Sequence, residues 1–253
     1  MYETLDLTKV LFLDIETVSS VADYEQLPDA LRELWRIKSR QILRKPAAEL
    51  GPEEARDLYP ERAGIYAEFG RIVCISVGII VRDPQSHELS LRLKSFAHDD
   101  ETELLRQFSE LLEQYYQDPS RHFLCGHNLR EFDVPYTCRR MVIQQLPLPR
   151  VLDIAGKKPW ETKHLLDTLE MWKFGDYKNY TSLKLLCAVF GIPSPKDDID
   201  GGDVGRVYWE EQDLERIAHY CEKDVLAVVQ LLLRYMRLPL LPPERIVHVG
   251  TPA

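Results

Sequence analysis

The hydrophobic positions change period along the chain, and each period predicts an element. Residues 10–16, VLFLDIE, read as a buried strand that ends in carboxylates. Residues 72–81 are almost continuously β-branched and aliphatic, the pattern of a central strand covered on both faces. ELSLRLKSF at 88–96 alternates apolar and polar as a half-exposed strand does, and HFLCG at 122–126 reads as a short strand. Residues 99–117 place Leu104, Leu105, Phe108, Leu111, Leu112 and Tyr115 at helical spacing behind an acidic first turn. FDVPYTCRRMVIQQ opens a further helix, and TSLKLLCAVFGIP at 181–193 has a Thr/Ser start and a Gly-x-Pro stop. A last helix over about 210–236 carries Leu214, Ile217, Ala218, Cys221, Val225, Val228 and Leu232 on one stripe. Strands come first, then strand–helix alternation, then helices, which predicts an α/β fold with a central mixed β-sheet flanked by α-helices.

Residues 18–70 stand apart from this pattern as a helical insertion after the first strand, interrupted by prolines. Within it, LRELWRIKSRQILRK (31–45) has six basic residues against one acidic. That run is either a solvated helix face or a lid that touches substrate. A second, mildly basic region spans 130–163 and contains Arg130, Arg139, Arg140, Arg150, Lys157, Lys158 and Lys163. The chain is expected to be one domain over 1–253, with 239–253 as a C-terminal tail.

Overall charge sharpens the choice of partners. With 32 Lys and Arg against 41 Asp and Glu, the net charge is −9, so wholesale coating of duplex phosphates is not expected. A local site built on metal ions or a small basic patch is compatible with it. The longest apolar run, IVCISVGIIV, is far short of the ~20 residues a spanning helix needs, and MYETLDLTKV is acidic where a signal peptide is positive. Five cysteines without a CxxC pair point to a reducing, cytoplasmic setting with neither a disulfide framework nor a zinc site. No membrane partner is expected.

Three places carry candidate chemistry. Asp14 and Glu16 are two apart on a strand, so both leave one face while Leu11, Leu13 and Ile15 leave the other. Adjacent acids at the end of an apolar strand repel and lose hydration unless a cation holds them, and a hard divalent ion with oxygen ligands does so economically. Asp133, in GHNLREFDVPY, sits near a helix start, where a carboxylate is also favoured by the dipole alone. Asp224, in HYCEKDV, falls at the edge of the last helix's apolar stripe, with Tyr220 one turn earlier on the same face. That tyrosine could equally be a rim residue capping the core.

FLDIET, GHNLREFDVPY and HYCEKDV, in this order, resemble the three exonuclease motifs of the DEDD superfamily. They are most similar to the proofreading exonuclease domain of family-B DNA polymerases, and GRIVCISVGI and LLDTLEMWKF…YTSLKLLCAVFGIP resemble its intervening segments. The likeness runs over most of 10–236, and the motifs look like the stand-alone, predicted 3′–5′ exonuclease relatives of that domain. The resemblance implies a ribonuclease H-like fold that hydrolyses phosphodiesters from a 3′ end with two divalent cations, Mg²⁺ or Mn²⁺. Asp14 would bridge both metals, Glu16 and Asp224 would complete one site, and Asp133 would serve the second, partly through water. Thr17, Asn128 and Phe132 would approach the terminal nucleotides, whereas His127 and His164 are read as structural. The implied partner is the 3′ end of a single-stranded nucleic acid, DNA favoured over RNA.

HYCEKD satisfies both the Y-x₃-D and the H-x₄-D patterns of that superfamily. On a regular helix Tyr220 is about 40° from Asp224 and His219 about 140° away, which favours Tyr220 as the residue that orients the attacking water. Two other readings remain from the sequence: an RNA exonuclease on the same fold, and a catalytically silent nucleic-acid-binding module.

Overall fold

The alternation in VLFLDIE divides the protein into layers. In the computed structural model, which describes residues 5–46, 51–176, 178, 180–193 and 199–250, this stretch lies in strand β1 (Val10–Ser19) at the middle of a six-stranded sheet. Residues 1–4 of the acidic N-terminus, 47–50 of the insertion and 251–253 of the tail lie outside the described residues. The other strands are β2 (Gly70–Arg82), β3 (Leu89–Ala97), β4 (Phe123–Gly126), β5 (Leu165–Asp167) and β6 (Ile246–His248), in the order β5-β4-β1-β2-β3-β6. β2 is antiparallel to β1 and β3, while β4 is parallel to β1, β5 to β4 and β6 to β3.

Helices α1 (Asp29–Leu43) and α2 (Pro52–Arg62) belong to the insertion, followed by α3 (Glu101–Tyr115) and α4 (Asp133–Ile143). Next come α5 (Thr168–Lys173), α6 (Leu183–Val189) and a single turn α7 (Val204–Arg206) that runs into a π-helical turn, Val207–Glu211. The last helix is α8 (Leu214–Tyr235). Among the described residues no helix is long and apolar enough to cross a membrane.

Leu11, Leu13 and Ile15 pack with Leu104, Phe108 and Met141 of α3 and α4 on one face of the sheet. Val10 and Phe12 pack with Val225, Val228 and Leu232 of α8 on the other. Asp14 and Glu16 continue the second series, so the strand that buries its apolar side chains under α8 delivers its two acids to the same helix. Close approach of α8 depends on Gly78, opposite Phe12 in register, because a Cβ there would come within 2.9 Å of Val225. A buried ion pair fixes the other layer. Arg140 of α4 grips Glu101 of α3 at 2.8 and 2.5 Å and donates to the Ala67 carbonyl, while Glu101 also accepts the Ile72 N–H.

Several boundaries differ from the expectation. β1 runs past the carboxylates to Ser19 through a register shift between Glu16 and Thr17, because its far end still pairs with Gly70 to Ile72. The last helix begins at Leu214, where Asp213 caps it by accepting the Arg216 N–H, and a π-helical turn stands where residues 210–211 were read as helix. β5 and α5 had no periodicity of their own to reveal them. The tail supplies an edge strand, tied down by His248 against Glu222 at 2.6 Å. The basic region 130–163 is not one surface: Arg140 is buried on Glu101, and Arg130 is spent on the carbonyls of Leu165, Pro159 and Thr162.

The insertion has its own small core. Trp35 is fully buried against Tyr59 and Phe69, and its indole N–H donates to the Ala55 carbonyl at 2.7 Å. The far end of α2 leads to Gly64, where a Cβ would press on the backbone of Thr17 and Val18 at 3.1–3.2 Å. The insertion therefore meets β1 directly beside Glu16.

Candidate active site

A cleft of about 210 Å³ opens at the C-terminal half of β1. Its floor is Ile15, Glu16, Thr17, Val18 and Ser19; one wall is Pro60, Glu61, Gly64 and Ile65 of the insertion, and the other is Gly201, Gly202 and Gly205 before and in α7. Phe132, immediately before α4, completes the lining. Trp209 braces this end by donating its indole N–H to the Ser19 hydroxyl at 3.0 Å.

Three separate elements bring carboxylates together here. Ligand atoms of Asp14, Glu16 and Cys221 lie within 4.8 Å of one another. Asp133 and Asp224 are outside that tight set but act electrostatically on it. Burial holds the Asp14 carboxyl well above its ordinary range, and the charges of Asp133, Glu16 and Asp224 push it further. Glu16 is raised by burial and by Asp224, Cys74 and Asp133. Asp133, buried at the first position of α4, is pushed up to about 7 by burial, with Asp167 and Asp224 adding; its own and Ile15's backbone N–H groups oppose the rise. Among the described residues no Lys, Arg or His forms an ion pair with Asp14, Glu16 or Asp133. Repulsion of this kind is what a divalent cation with oxygen donors removes. The donor set fits Mg²⁺ or Mn²⁺ better than a softer ion.

Cys221 was read from the sequence as a small core hydrophobe, and the structure adds a polar role. Its Sγ lies 3.4 Å from the Asp14 carbonyl and 3.5 Å from Asp14 Oδ2. Burial pushes the thiol well above its ordinary range, so it stays protonated and donates to Asp14 rather than competing as a thiolate ligand. Cys74, which faces Glu16 across β1 and β2, packs against it.

α8 sets the two candidates in HYCEKD in different surroundings. His219 is exposed and lies 3.8 Å from Glu215, one turn back on the same helix. Tyr220 is partly buried and packs on the cluster around Ile217 and Cys221, with its hydroxyl near Gly201 of the cleft wall.

Of the expected substrate contacts, Thr17 and Phe132 line the cleft. Phe132 also packs against Tyr136, with ring centroids 5.3 Å apart, so it serves both core and cleft. Asn128 has a φ of 65° and opens the turn that leads into α4, its carbonyl accepting the N–H groups of Glu131 and Phe132. His127 is held between Thr168 Oγ1 and the Thr181 carbonyl at 3.0 Å, and His164 bonds to the Val151 carbonyl at 2.9 Å.

The pattern reading missed Asp167. Buried at the end of β5, it accepts N–H groups from Asn128, Arg130, Leu169 and Glu170, and so fixes the turn that presents Asp133. The only signal in the sequence was LLDT, an acid followed by a threonine at a helix start.

Comparisons with known proteins agree with this architecture. The family B DNA polymerase from the hyperthermophilic archaeon Pyrobaculum calidifontis superposes with a TM-score of 0.53 at 16% identity, over 90% of this chain and 24% of the polymerase. The chain therefore spans about a quarter of that polymerase, and the shared fold is of the polymerase-B exonuclease, ribonuclease H-like type. No curated protein matches the chain. The model of a family described as "predicted 3'-5' exonuclease related to the exonuclease domain of PolB" matches residues 65–240, a stretch that holds Asp133, Tyr220 and Asp224 and leaves out β1. With most of its length inside that match, the chain belongs to this family of predicted 3′–5′ exonucleases.

Proposed function

We propose that the protein is a metal-dependent 3′–5′ exonuclease that releases nucleoside 5′-monophosphates from single-stranded DNA or frayed 3′ ends. The observation that carries this reading is the gathering of carboxylates from β1, α4 and α8 around Asp14, beside the cleft that Glu16 lines. Asp14, Glu16, Asp133 and Asp224 would hold two divalent cations. Such ions, when bound, stabilise the attacking and leaving oxygens of an in-line phosphoryl displacement and offset the repulsion between a phosphate and this acidic site.

The rest is work for the chain's own side chains. The Tyr220 hydroxyl, on the cleft side of α8, hydrogen-bonds the attacking water and orients it; with an unperturbed pKa of ~10 a tyrosine is a poor base for it. Phe132 offers a ring edge or face to the terminal base, an interaction worth ~1–3 kcal/mol where stacking is complete. Thr17 and the turn at Asn128 contact the last nucleotides. Glycines at 64, 201, 202 and 205 leave the walls without side chains, so a sugar–phosphate backbone can lie close. Cys221 steadies Asp14. The buried, unpaired cysteines are consistent with a reducing compartment, which we propose to be the cytoplasm.

The test is digestion of end-labelled single-stranded DNA and RNA with Mg²⁺, Mn²⁺ or EDTA. Stepwise mononucleotide release from the 3′ end is expected, stopped by EDTA and lowered by at least about 10³-fold in Asp14→Ala. Internal cuts, or a mutant as active as the wild type, would refute the reading, and a preference for the RNA strand would move the substrate to RNA.

A further inference from the structure

We propose that the solvent face of α1 is a second contact surface for the substrate strand. In it Lys38, Arg40 and Arg44 hold phosphates upstream of the 3′-terminal nucleotide seated in the cleft. The inference rests on the nuclease reading of that cleft, and it concerns a segment that the family match leaves outside.

Arg32, Arg36, Arg40 and Arg44 follow one another at every fourth residue of the helix and its C-cap, a like-charge ladder that destabilises an isolated helix. Two rungs are neutralised locally: Arg32 bridges Glu25 and Asp29, and Arg36 bridges Glu33. Among the described residues Arg40 and Arg44 have no acidic partner. The fold leaves the Arg40 and Arg44 charges without an acidic neighbour, which makes them available to an external anion. In a chain of net charge −9, they form a local positive field that steers a polyanion past the acidic remainder.

The surface is linked to the cleft wall through Tyr66. Lys38 lies over the Tyr66 ring at 4.2 Å, and Tyr66 directly follows Gly64 and Ile65 of the cleft wall. From Lys38 the exposed face of α1 continues through Leu34 and Ile37, both unusually open for their type, to Arg44 and Arg40. Cations beside exposed apolar side chains suit a single strand, which offers phosphates and unstacked bases together. A duplex would offer only its phosphates to such a face.

The test compares Lys38→Gln/Arg40→Gln/Arg44→Gln with wild type in EDTA, where no hydrolysis is expected, by fluorescence anisotropy of a labelled strand of about 20 nucleotides. A Kd raised about tenfold is expected, and the slope of log Kd against log salt should fall by about 2, near 0.7 for each cation removed. Arg32→Gln/Arg36→Gln, whose charges are already bridged, should leave both within about twofold. In the presence of Mg²⁺ the triple variant should raise KM about tenfold on the long strand with kcat unchanged, and leave hydrolysis of a dinucleotide within about twofold. An unchanged slope, an equal loss in the Arg32/Arg36 control, or an equal loss on the dinucleotide overturns the proposal, as does binding to anionic phospholipid vesicles in place of the oligonucleotide. Running the same titration with RNA decides which polymer the face prefers. If the wild type binds through α1 but releases no nucleotide, it is the nuclease reading that fails.

Discussion

Asp133 shows what one buried carboxyl does to the metal-free protein. Its pKa rises to about 7 on folding from near 3.9 in the unfolded chain, so the folded state holds the extra proton between those values. A raised carboxyl contributes its stability at low pH and loses it as the pH climbs through the folded value. In EDTA the thermal midpoint should therefore fall between pH 5 and pH 8, and Asp133→Asn should remove part of that fall, raising the midpoint at pH 8 by several degrees at about 2–4 °C per kcal/mol. A midpoint that rises with pH in EDTA would contradict the assignment. Tyr220 and His219 give the second prediction at this scale. Tyr220→Phe should lower kcat about tenfold or more with KM little changed, whereas His219→Ala, on the solvent side beside Glu215, should stay within about twofold. A near-silent tyrosine change with an inactive histidine variant would reverse their roles. The phase of a regular helix already separated these neighbours in the sequence, since 3.6 residues per turn needs no tertiary information.

At the scale of elements, the site depends on how securely each piece is held. The turn between β4 and α4 hangs on Asp167, whose carboxylate takes N–H groups from that turn and from the first turn of α5. Asp167→Ala leaves those donors unsatisfied and should destabilise the protein by about 2–4 kcal/mol in urea titration. It should also weaken Mn²⁺ binding, because Asp133 loses its fixed position. Destabilisation with unaltered Mn²⁺ affinity would reduce Asp167 to a packing residue. β5 is three residues long and α5 six, too short for any periodicity to mark them, and their stability comes from neighbours in the sheet. Long elements were legible for the opposite reason. β2 is almost wholly apolar over residues 72–81 because both its faces are covered there, and α8 has six turns over which a stripe repeats.

For the whole molecule, folding gathers negative charge at one point and sets positive charge beside it on the insertion. Divalent ions should bind the folded state alone and raise the thermal midpoint, with a larger gain at pH 8 than at pH 5, where protons compete for the same carboxylates. A gain independent of pH would place the ions elsewhere. Asp14→Ala should lose most of this shift.

The insertion is where sequence and structure part most clearly. Its basic composition was visible, but its position as one wall of the cleft was not, since Gly64 meets Thr17 and Val18 only through the chain's path in space. The sequence by itself determined the strands and long helices, the side of β1 from which Asp14 and Glu16 project, and the phase that pairs Tyr220 with Asp224. All of these follow from the local geometry of extended and helical backbone. Only the tertiary structure decided that Asp133 and Asp224 act on Asp14, that Cys221 donates to it, and that Arg140 and Arg130 face inward. Those facts depend on contacts between residues far apart in the chain, where burial and neighbouring charge, not spacing, set what a side chain can do.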